Sequence, residues 1–337
     1  MLPTIGLMPG DCTGIGPEIT AKVLAADALR GVANLVVVGD GRVLAHGQRD
    51  AGTSVPLRQY DAVSAIDWNH PSVPMLDLGN IDPDALPRGE VSAESGKLTG
   101  DTLKTMIGMA LGGELDAVSF APLNKGALHK GGWKFRDEHQ MFAALTEHQG
   151  FFGEMNVTPQ FSTFRVTSHL SLREALDLIT PQRITAAVHL ADTTLRAMGV
   201  ERPRIGVAAL NPHGGEGGLF GREEIEMITP TLDALRADGM AVIGPVPADV
   251  IFVRALKHEF NGVVTMYHDQ GQVATKLLAF NKGVTVTAGL PTVFTTPAHG
   301  TAFDIVGRGE ADPGALTQAL LTAAKLAASR MRQRQAA

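Results

Sequence analysis

Residues 4–18 read TIGLMPGDCTGIGPE, and this stretch decides the fold class. Its first five residues, Thr4–Met8, form the short apolar run typical of a buried strand. The three glycines that follow permit a tight turn, and Pro17 suits the first turn of a helix. The helix amides could face an anion, or the segment could be only a structural turn. Its glycine spacing differs from the dinucleotide-binding pattern G-x-G-x-x-G.

The same alternation of strand and helix continues through most of the chain. Further strands are predicted at 34–38, 117–121, 205–210, 263–267 and 284–287, and helices at 17–26, 92–111, 181–198, 222–238 and 313–330. This order predicts an α/β protein with a mostly parallel sheet covered by helices on both faces. We expect two lobes, one formed by residues 1–134 plus 296–337 and the other, 135–295, inserted into it.

Composition excludes several classes of function. The chain has 337 residues, 44% of them hydrophobic, and a formal net charge of −6, which argues against nucleic acid or an anionic membrane as a partner. No apolar stretch reaches the roughly 18 residues of a membrane span, and no signal peptide is evident. The single cysteine, Cys12, has no partner for an internal disulfide, which fits a reducing compartment. We expect a cytoplasmic protein.

Three histidines follow predicted strands at distant points of the chain. They are His169 in TSHL, His213 in the glycine-rich NPHGGEGG, and His268 in MYHDQG. Neutral imidazoles gathered in this way are common ligands of zinc and similar divalent ions, and the adjacent Asp269 could orient one of them. The alternative is that each is a buried, hydrogen-bonded histidine among the 11 of the chain. We predict a metal site if the three converge.

Two further loops carry polar side chains at the ends of predicted elements. Lys125, after the strand at 117–121, could bind an anion or carry a proton, or could simply be solvated. Residues 297–309 read PAHGTAFDIVGRG, a flat backbone that suits contact with adenine or ribose. Asp304 in this loop could accept hydrogen bonds from ribose hydroxyls.

Taken together, these blocks resemble the 4-hydroxythreonine-4-phosphate dehydrogenase family. The matching stretches are 10–19, 122–129, 167–174, 211–224, 244–249 and 266–271, in the same order. Residues 299–309 also look like the cofactor loop of isopropylmalate and isocitrate dehydrogenases, the wider relatives of that family. The resemblance implies an α/β/α two-lobed homodimer with NAD and a divalent metal at the dimer interface. The first lobe would be the cofactor side, and the inserted lobe would hold metal, substrate and the dimer contact.

The resemblance also assigns roles to individual residues. The metal ligands would be His169, His213 and His268, contributed by both subunits, with Asp249 and Asp269 holding the site together and Lys125 beside them. The cofactor contacts would be His299, Gly300, Thr301, Ala302 and Asp304. Three imidazoles favour zinc, while magnesium, manganese and cobalt stay open. The bound ion would lower the pKa of a substrate hydroxyl, favouring hydride transfer to NAD and then loss of carbon dioxide.

Several positions depart from the family pattern at the place where it binds phosphate. Lys276 matches a phosphate-binding lysine, but Thr285 replaces an asparagine and Phe294 replaces an arginine. Glu138 replaces a substrate-binding histidine, or His139 takes that place if the register shifts by one residue. Phenylalanine cannot replace a bidentate guanidinium, and an acid at position 138 would repel a dianion. We therefore expect a substrate without phosphate, with a carboxylated cis-dihydrodiol as a candidate.

Three alternatives remain open at the level of sequence. Lys282 or Arg136 could compensate for the missing arginine, and the protein would then oxidise 4-hydroxythreonine-4-phosphate, 4-phospho-threonate or 4-phospho-erythronate. A non-redox enzyme of the wider fold, such as a phosphate acyltransferase, would need no metal bound by three histidines. A binding protein without activity would have no reason to retain the histidines and acids together.

Overall fold

The computed structural model describes residues 1–279 and 283–336. The strands are β1 (Thr4–Met8), β2 (Asn34–Gly39), β3 (Leu57–Gln59), β4 (Val73–Asp77), β5 (Ala117–Phe120), β6 (Gly153–Val157), β7 (Ser162–Arg165), β8 (Ile205–Ala208), β9 (Val242–Val246), β10 (Gly262–Thr265), β11 (Val284–Ala288) and β12 (Val293–Pro297). The helices are α1 (Gly16–Ala26), α2 (Gly41–Ala51), α3 (Ala93–Leu111), α4 (Lys125–Lys130), α5 (Glu138–Leu145), α6 (Leu172–Leu178), α7 (Pro181–Ala197), α8 (Thr229–Ala237), α9 (Ala248–Leu256), α10 (His268–Ala279) and α11 (Gly314–Ala336). Every strand and helix predicted above is present, and the α/β class is confirmed. The segment predicted as a helix at 222–238 begins with a π-helical turn, Glu224–Ile228, and continues as α8, while α11 ends six residues later than predicted.

The chain divides into two compact units. Unit 1 comprises Met1–His148 and Leu290–Ala337, and unit 2 comprises Gln149–Gly289. The sequence placed the two boundaries after residues 134 and 295. The functional roles expected of the two lobes remain predictions.

Unit 1 contains a parallel sheet in the order β3-β4-β2-β1-β5-β12. Strand β1 lies inside it, with Ile5 and Leu7 fully buried. The loop after β1 requires glycine at position 10, because φ is +80° there and a Cβ would lie 2.7 Å from the backbone of Ala121. The loop after β1 is thereby held against the end of β5, where Asp11 N donates to Pro122 O.

Unit 2 contains strands in the order β11-β6-β7-β10-β8-β9. Strands β7, β10, β8 and β9 pair in parallel, while β6 pairs antiparallel with both β11 and β7. The sequence predicted neither β6 nor β7. Both are short and carry polar residues, Glu154 and Asn156 in β6 and Arg165 in β7, so they lack the apolar run that marks a buried strand.

Helical segments of the described residues are too short or too polar to cross a membrane.

Candidate functional site

Two of the three predicted histidines come together in unit 2. The rings of His169 and His268 lie 5.4 Å apart, centroid to centroid, and both side chains are partly buried. His169 follows β7 in a left-handed conformation with φ of 53°, and His268 is the first residue of α10. The ends of β7 and β10 thus bring two imidazoles to one place, whereas the sequence had pointed to a metal site if all three histidines converge.

A buried carboxylate completes this group. Glu154 in β6 is 8% exposed, and its Oε2 lies 3.7 Å from Nε2 of His169. One ligand atom from each of Glu154, His169 and His268 lies within 4.8 Å of the other two. Among the described residues, no other group of three or more His, Cys, Asp or Glu side chains is compact enough to hold a metal ion. Two imidazoles and a carboxylate are donors that suit a divalent transition metal.

Asp269 supports the site from the side of His268. Its Oδ1 lies 2.7 Å from Nδ1 of His268, so that the other ring nitrogen, Nε2, is available to a ligand or ion. The two residues line a cavity of about 190 Å³ together with His169, Thr167 and Leu172. The sequence had expected this orienting role for Asp269.

Glu154 is held in place by a buried polar network. Nη1 of Arg165 lies 2.6 Å from Glu154 Oε2, close enough for an ion pair although the angle is not that of a hydrogen bond. The other carboxylate oxygen, Oε1, accepts from Asn156 Nδ2 at 3.0 Å. The amide of Asn156 also donates to Thr285 Oγ1 at 3.1 Å, and Arg165 donates to the side-chain oxygens of Asn156 and Gln272. Thr285 is thus connected to Glu154 through one side chain.

Helix α10 connects this network to a cationic side chain. His268, Gln272 and Lys276 are spaced by four residues, so they lie along one face of the helix. Lys276 is half-buried, and burial lowers the pKa of its ammonium group while the negative charge of Glu154 acts in the opposite direction. The lysine expected to bind the substrate anion therefore lies on the same helix face as a metal-site histidine.

The third histidine, His213, lies elsewhere in this chain. It is exposed, on a loop whose residues 213–217 all have positive φ, and its ring is near that of Phe220 at 6.2 Å. Glu224 fixes the start of the loop by accepting from the backbone amides of Leu210 and Asn211, both at 2.8 Å. Burial alone would raise the pKa of Glu224, but these bonds and those from the Asn211 side chain outweigh it, and the pKa is lowered. Convergence of three histidines within one chain is not observed.

Asp249 is likewise outside the cluster of Glu154, His169 and His268. It lies in the first turn of α9, with an exposed side chain. The sequence signal that placed it near the metal was the family motif rather than any local pattern.

Unit 1 holds the other predicted residues. Lys125 Nζ lies 3.0 Å from Glu138 Oε2, so the charge of Glu138 is balanced within this unit. His139 is buried in α5. Because Glu138 is paired, the argument that it would repel a phosphate loses its force.

Phe294 requires a correction, because it is a core residue. Its side chain is 1% exposed, and its ring stacks on Phe142 at 4.3 Å with an interplanar angle of 12°. Phe142 in turn meets Phe120 edge-on at 5.6 Å. The aromatic character of position 294 is explained by this packing, and the expectation that the ring lines a substrate pocket is wrong.

The predicted cofactor loop, residues 299–304, contacts the loop after β1, residues 10–16. Thr301 O accepts from Ile15 N at 3.1 Å, and a Cβ on Gly14 would lie 2.8 Å from Cβ of Thr301. Nδ1 of His299 lies 3.1 Å from Gly300 O. Asp304 is exposed, and Ala302 is left-handed with φ of 42°. The two motifs that looked separate in sequence therefore form one surface at the end of the unit 1 sheet.

Sequence analysis missed Glu154 and Arg165. A carboxylate and a guanidinium on two adjacent short strands are a usable signal, because a charged side chain in a buried strand is rare unless it is paired. Lys282, the residue that could have supplied a compensating cation, lies outside the described residues.

The chain is similar to dehydrogenases over nearly its whole length. A family model described as pyridoxal phosphate biosynthetic protein PdxA matches residues 31–323. The D-threonate 4-phosphate dehydrogenase of Cupriavidus necator is 42% identical, with 98% of each chain covered. The crystal structure of the 4-hydroxythreonine-4-phosphate dehydrogenase from Klebsiella pneumoniae is 38% identical with a TM-score of 0.83, covering 97% of this chain and 99% of that one.

More distant structures extend the comparison. A terephthalate 1,2-cis-dihydrodiol dehydrogenase from Burkholderia xenovorans is 30% identical with a TM-score of 0.66, covering 95% of this chain and 98% of that one. A β-decarboxylating dehydrogenase from Thermococcus kodakarensis is 14% identical with a TM-score of 0.50, covering 95% and 82%, and shows the shared fold alone. The family model and the 42% relative together establish that this chain belongs to the PdxA family.

Proposed function

We propose that the protein is an NAD-dependent, metal-dependent dehydrogenase that oxidises a secondary hydroxyl of a phosphorylated hydroxy acid. The substrate class is that of 4-hydroxythreonine-4-phosphate and D-threonate 4-phosphate, which relatives at 38–42% identity are named for. The observation that carries the proposal is the placement of His268 and Lys276 on one face of α10, next to His169 and Glu154. One helix face then offers a metal ligand and a cation for the substrate's anion.

This proposal reverses the sequence-based expectation of a substrate without phosphate. That expectation depended on Phe294 and Glu138, and the first is core while the second is paired with Lys125. Neither residue argues against phosphate once its surroundings are known. The comparisons also favour the phosphorylated class, because the dihydrodiol dehydrogenase is 30% identical against 42% for the D-threonate 4-phosphate enzyme.

The residues of unit 2 would have separate roles in binding the metal ion and the substrate. His169 and His268 would hold the ion, Asp269 would orient His268, and Lys276 would bind the charged end of the substrate. A bound divalent ion would supply Lewis acidity, lowering the pKa of the substrate hydroxyl, and the carbon that bears this hydroxyl would give up the hydride to NAD. The loops at 10–16 and 299–304 would receive the cofactor. If the hydroxyl lies β to a carboxylate, carbon dioxide would leave after the oxidation.

We propose further that His213 completes the metal site of a second copy of the chain. This residue is exposed on a loop with positive φ values, and the segment that follows carries exposed apolar side chains, namely Leu219, Phe220 and Ile225. Such a surface suits a subunit contact. A site built in this way is shared between two subunits.

Mixing two inactive variants tests the shared site. His169→Ala and His213→Ala homodimers should each lack activity, while an equal mixture of the two, refolded together so that heterodimers form, should regain about a quarter of the wild-type rate. This value follows because half of the dimers are mixed and each contains one intact site of two. Absence of activity in the mixture, with heterodimers present by mass spectrometry, contradicts the shared site.

Substrate specificity is tested by NADH formation at 340 nm. The wild-type protein should reduce NAD with D-threonate 4-phosphate or 4-hydroxythreonine-4-phosphate, and carbon dioxide release should be measured in the same reactions. The second candidate, a carboxylated cis-dihydrodiol, is supported by the 30% identical dihydrodiol dehydrogenase. Turnover of terephthalate cis-dihydrodiol with none of the phosphate esters would establish it instead. No NADH with any of them would favour a non-redox enzyme of the same fold.

A further inference from the structure

We infer that Glu154 is itself a metal ligand, so that this chain supplies a carboxylate as well as imidazoles to the ion. The inference rests on the proposed function only in taking the site to hold a divalent cation. It changes the predicted donor set from three histidines to a mixed set of nitrogen and oxygen.

The distances fit direct coordination. Two ligand atoms each about 2.1 Å from a tetrahedral ion lie about 3.4 Å apart, and less in an octahedral site. Glu154 Oε2 and His169 Nε2 are 3.7 Å apart, and all three ligand atoms fall within 4.8 Å. For Glu154 and His169 the difference from 3.4 Å is a few tenths of an ångström, and the distances to His268 can exceed it by up to about 1.4 Å, which a rotation of an imidazole side chain would close.

The pairing with Arg165 supports this role. A carboxylate that binds a metal is usually hydrogen-bonded or paired on its outer side, and that partner fixes its orientation. Asn156 donates to Oε1, while Oε2, the oxygen nearest His169, lies 2.6 Å from Arg165 Nη1 and accepts from Ser168 Oγ at 3.5 Å. Arg165 is 1% exposed and reaches Asn156 and Gln272 as well, so it is a positioning residue.

The burial of the Glu154 carboxylate indicates that positive charge beside it compensates for its lost hydration. An ionised side chain that is 8% exposed needs compensation for lost hydration. Arg165 compensates part of that cost, and it is itself a buried charge, so the pair as a unit is not a source of stability. A divalent ion beside Glu154 would provide the remaining compensation and a reason to keep the pair.

Ion preference is the consequence that distinguishes this inference. Oxygen donors suit manganese and magnesium, whereas imidazoles suit zinc. Removing the carboxylate should therefore weaken manganese binding much more than zinc binding. General damage to the site would weaken both ions alike.

The experiment measures binding of each ion without turnover. Free Mn²⁺ is followed by electron paramagnetic resonance in titrations of the full-length protein, and Zn²⁺ affinity by competition with a chromophoric chelator. We expect Glu154→Gln to raise the Kd for Mn²⁺ about 100-fold and that for Zn²⁺ less than about tenfold. Glu154→His should keep strong Zn²⁺ binding while losing Mn²⁺. Glu201→Gln, an exposed glutamate of the same unit, should change neither.

A double variant serves as the control for a loss of stability. Glu154→Gln leaves the Arg165 charge without its partner and could unfold the unit, so Glu154→Met/Arg165→Met removes both charges together. It should fold, by circular dichroism, and show the same selective loss of Mn²⁺. Wild-type Mn²⁺ affinity in either variant, or an equal loss of both ions, overturns the inference. Such a result leaves NADH formation by the wild-type protein untouched, so the proposed function is tested separately.

Discussion

Replacing Phe294 with alanine should destabilise unit 1 strongly while leaving substrate binding unchanged. The ring is 1% exposed and stacks on Phe142 at 4.3 Å, so its removal creates a cavity between β12 and α5. The lost transfer energy of a buried phenylalanine is about 2–3 kcal/mol, and the cavity term brings the total to about 3–5 kcal/mol. Loss of the stacked pair falls within that range.

Thermal unfolding followed by calorimetry and near-ultraviolet circular dichroism measures this effect. For a unit of this size, a loss of 3–5 kcal/mol lowers the Tm by about 6–20 °C. Leu111→Ala, which truncates a side chain of the same unit that is 50% exposed, should change the free energy of unfolding by less than about 0.5 kcal/mol. KM for the substrate, measured well below the new Tm, should stay within twofold of the wild-type value. A Tm within 2 °C of wild type together with a raised KM would refute the assignment of Phe294 to the core.

Four other predictions follow from contacts and pKa shifts. Glu224→Gln should speed hydrogen exchange at the Leu210 and Asn211 amides and make the His213 loop more susceptible to proteases. The control Glu226→Gln, at an exposed neighbouring position, should change neither, and equal protection in both variants contradicts the role of Glu224. Burial tends to raise the pKa of Asp40, but hydrogen bonds from Arg42 and Ile81 outweigh burial and lower this pKa. The ionised carboxylate therefore stabilises the fold fully above about pH 4, and this stabilisation is lost as the pH falls through the lowered pKa of the folded state. The difference in unfolding free energy between wild type and Asp40→Asn should shrink from pH 7 to pH 3. Burial raises the pKa of Cys12 to about 11, so about 0.1% is thiolate at pH 8, and the thiol should react with a disulfide reagent far more slowly in the native protein than in urea. Lys276→Met should raise KM for a phosphorylated substrate more than about tenfold with an unchanged Tm, and an unchanged KM would place the anion elsewhere.

Local pattern predicted a large part of this protein. The run from Thr4 to Met8, the glycines after it and Pro17 are sufficient to predict β1, its loop and α1, because strand, turn and helix signals act over a few residues. Helix α10, which places His268 and Lys276 on one face, was not among the predicted helices. The pairing of the 10–16 loop with Thr301 was not visible in this way, since the two segments are almost 290 residues apart.

The candidate site was predictable only in its histidines. His169 and His268 each follow a strand of a parallel set, and such strands end at one edge of a sheet, so their approach follows from topology. His213 also follows a parallel strand, β8, yet its exposed loop carries it away from the pair within this chain. Distances between loops are set by their conformation, which the spacing of residues along the chain does not specify.

What the sequence determined by itself is the α/β class, the positions of six strands and five helices, and the two histidines with their neighbouring acid. What the tertiary structure decided is which charges and rings meet: Glu154 beside His169, Lys125 against Glu138, and Phe294 stacked on Phe142. The physical reason is range. Propensity and periodicity act between residues a few positions apart, whereas these contacts join separate elements, and burial, pairing and packing depend on the register and depth at which those elements meet. The change from an expected aromatic pocket to a core phenylalanine follows from that difference.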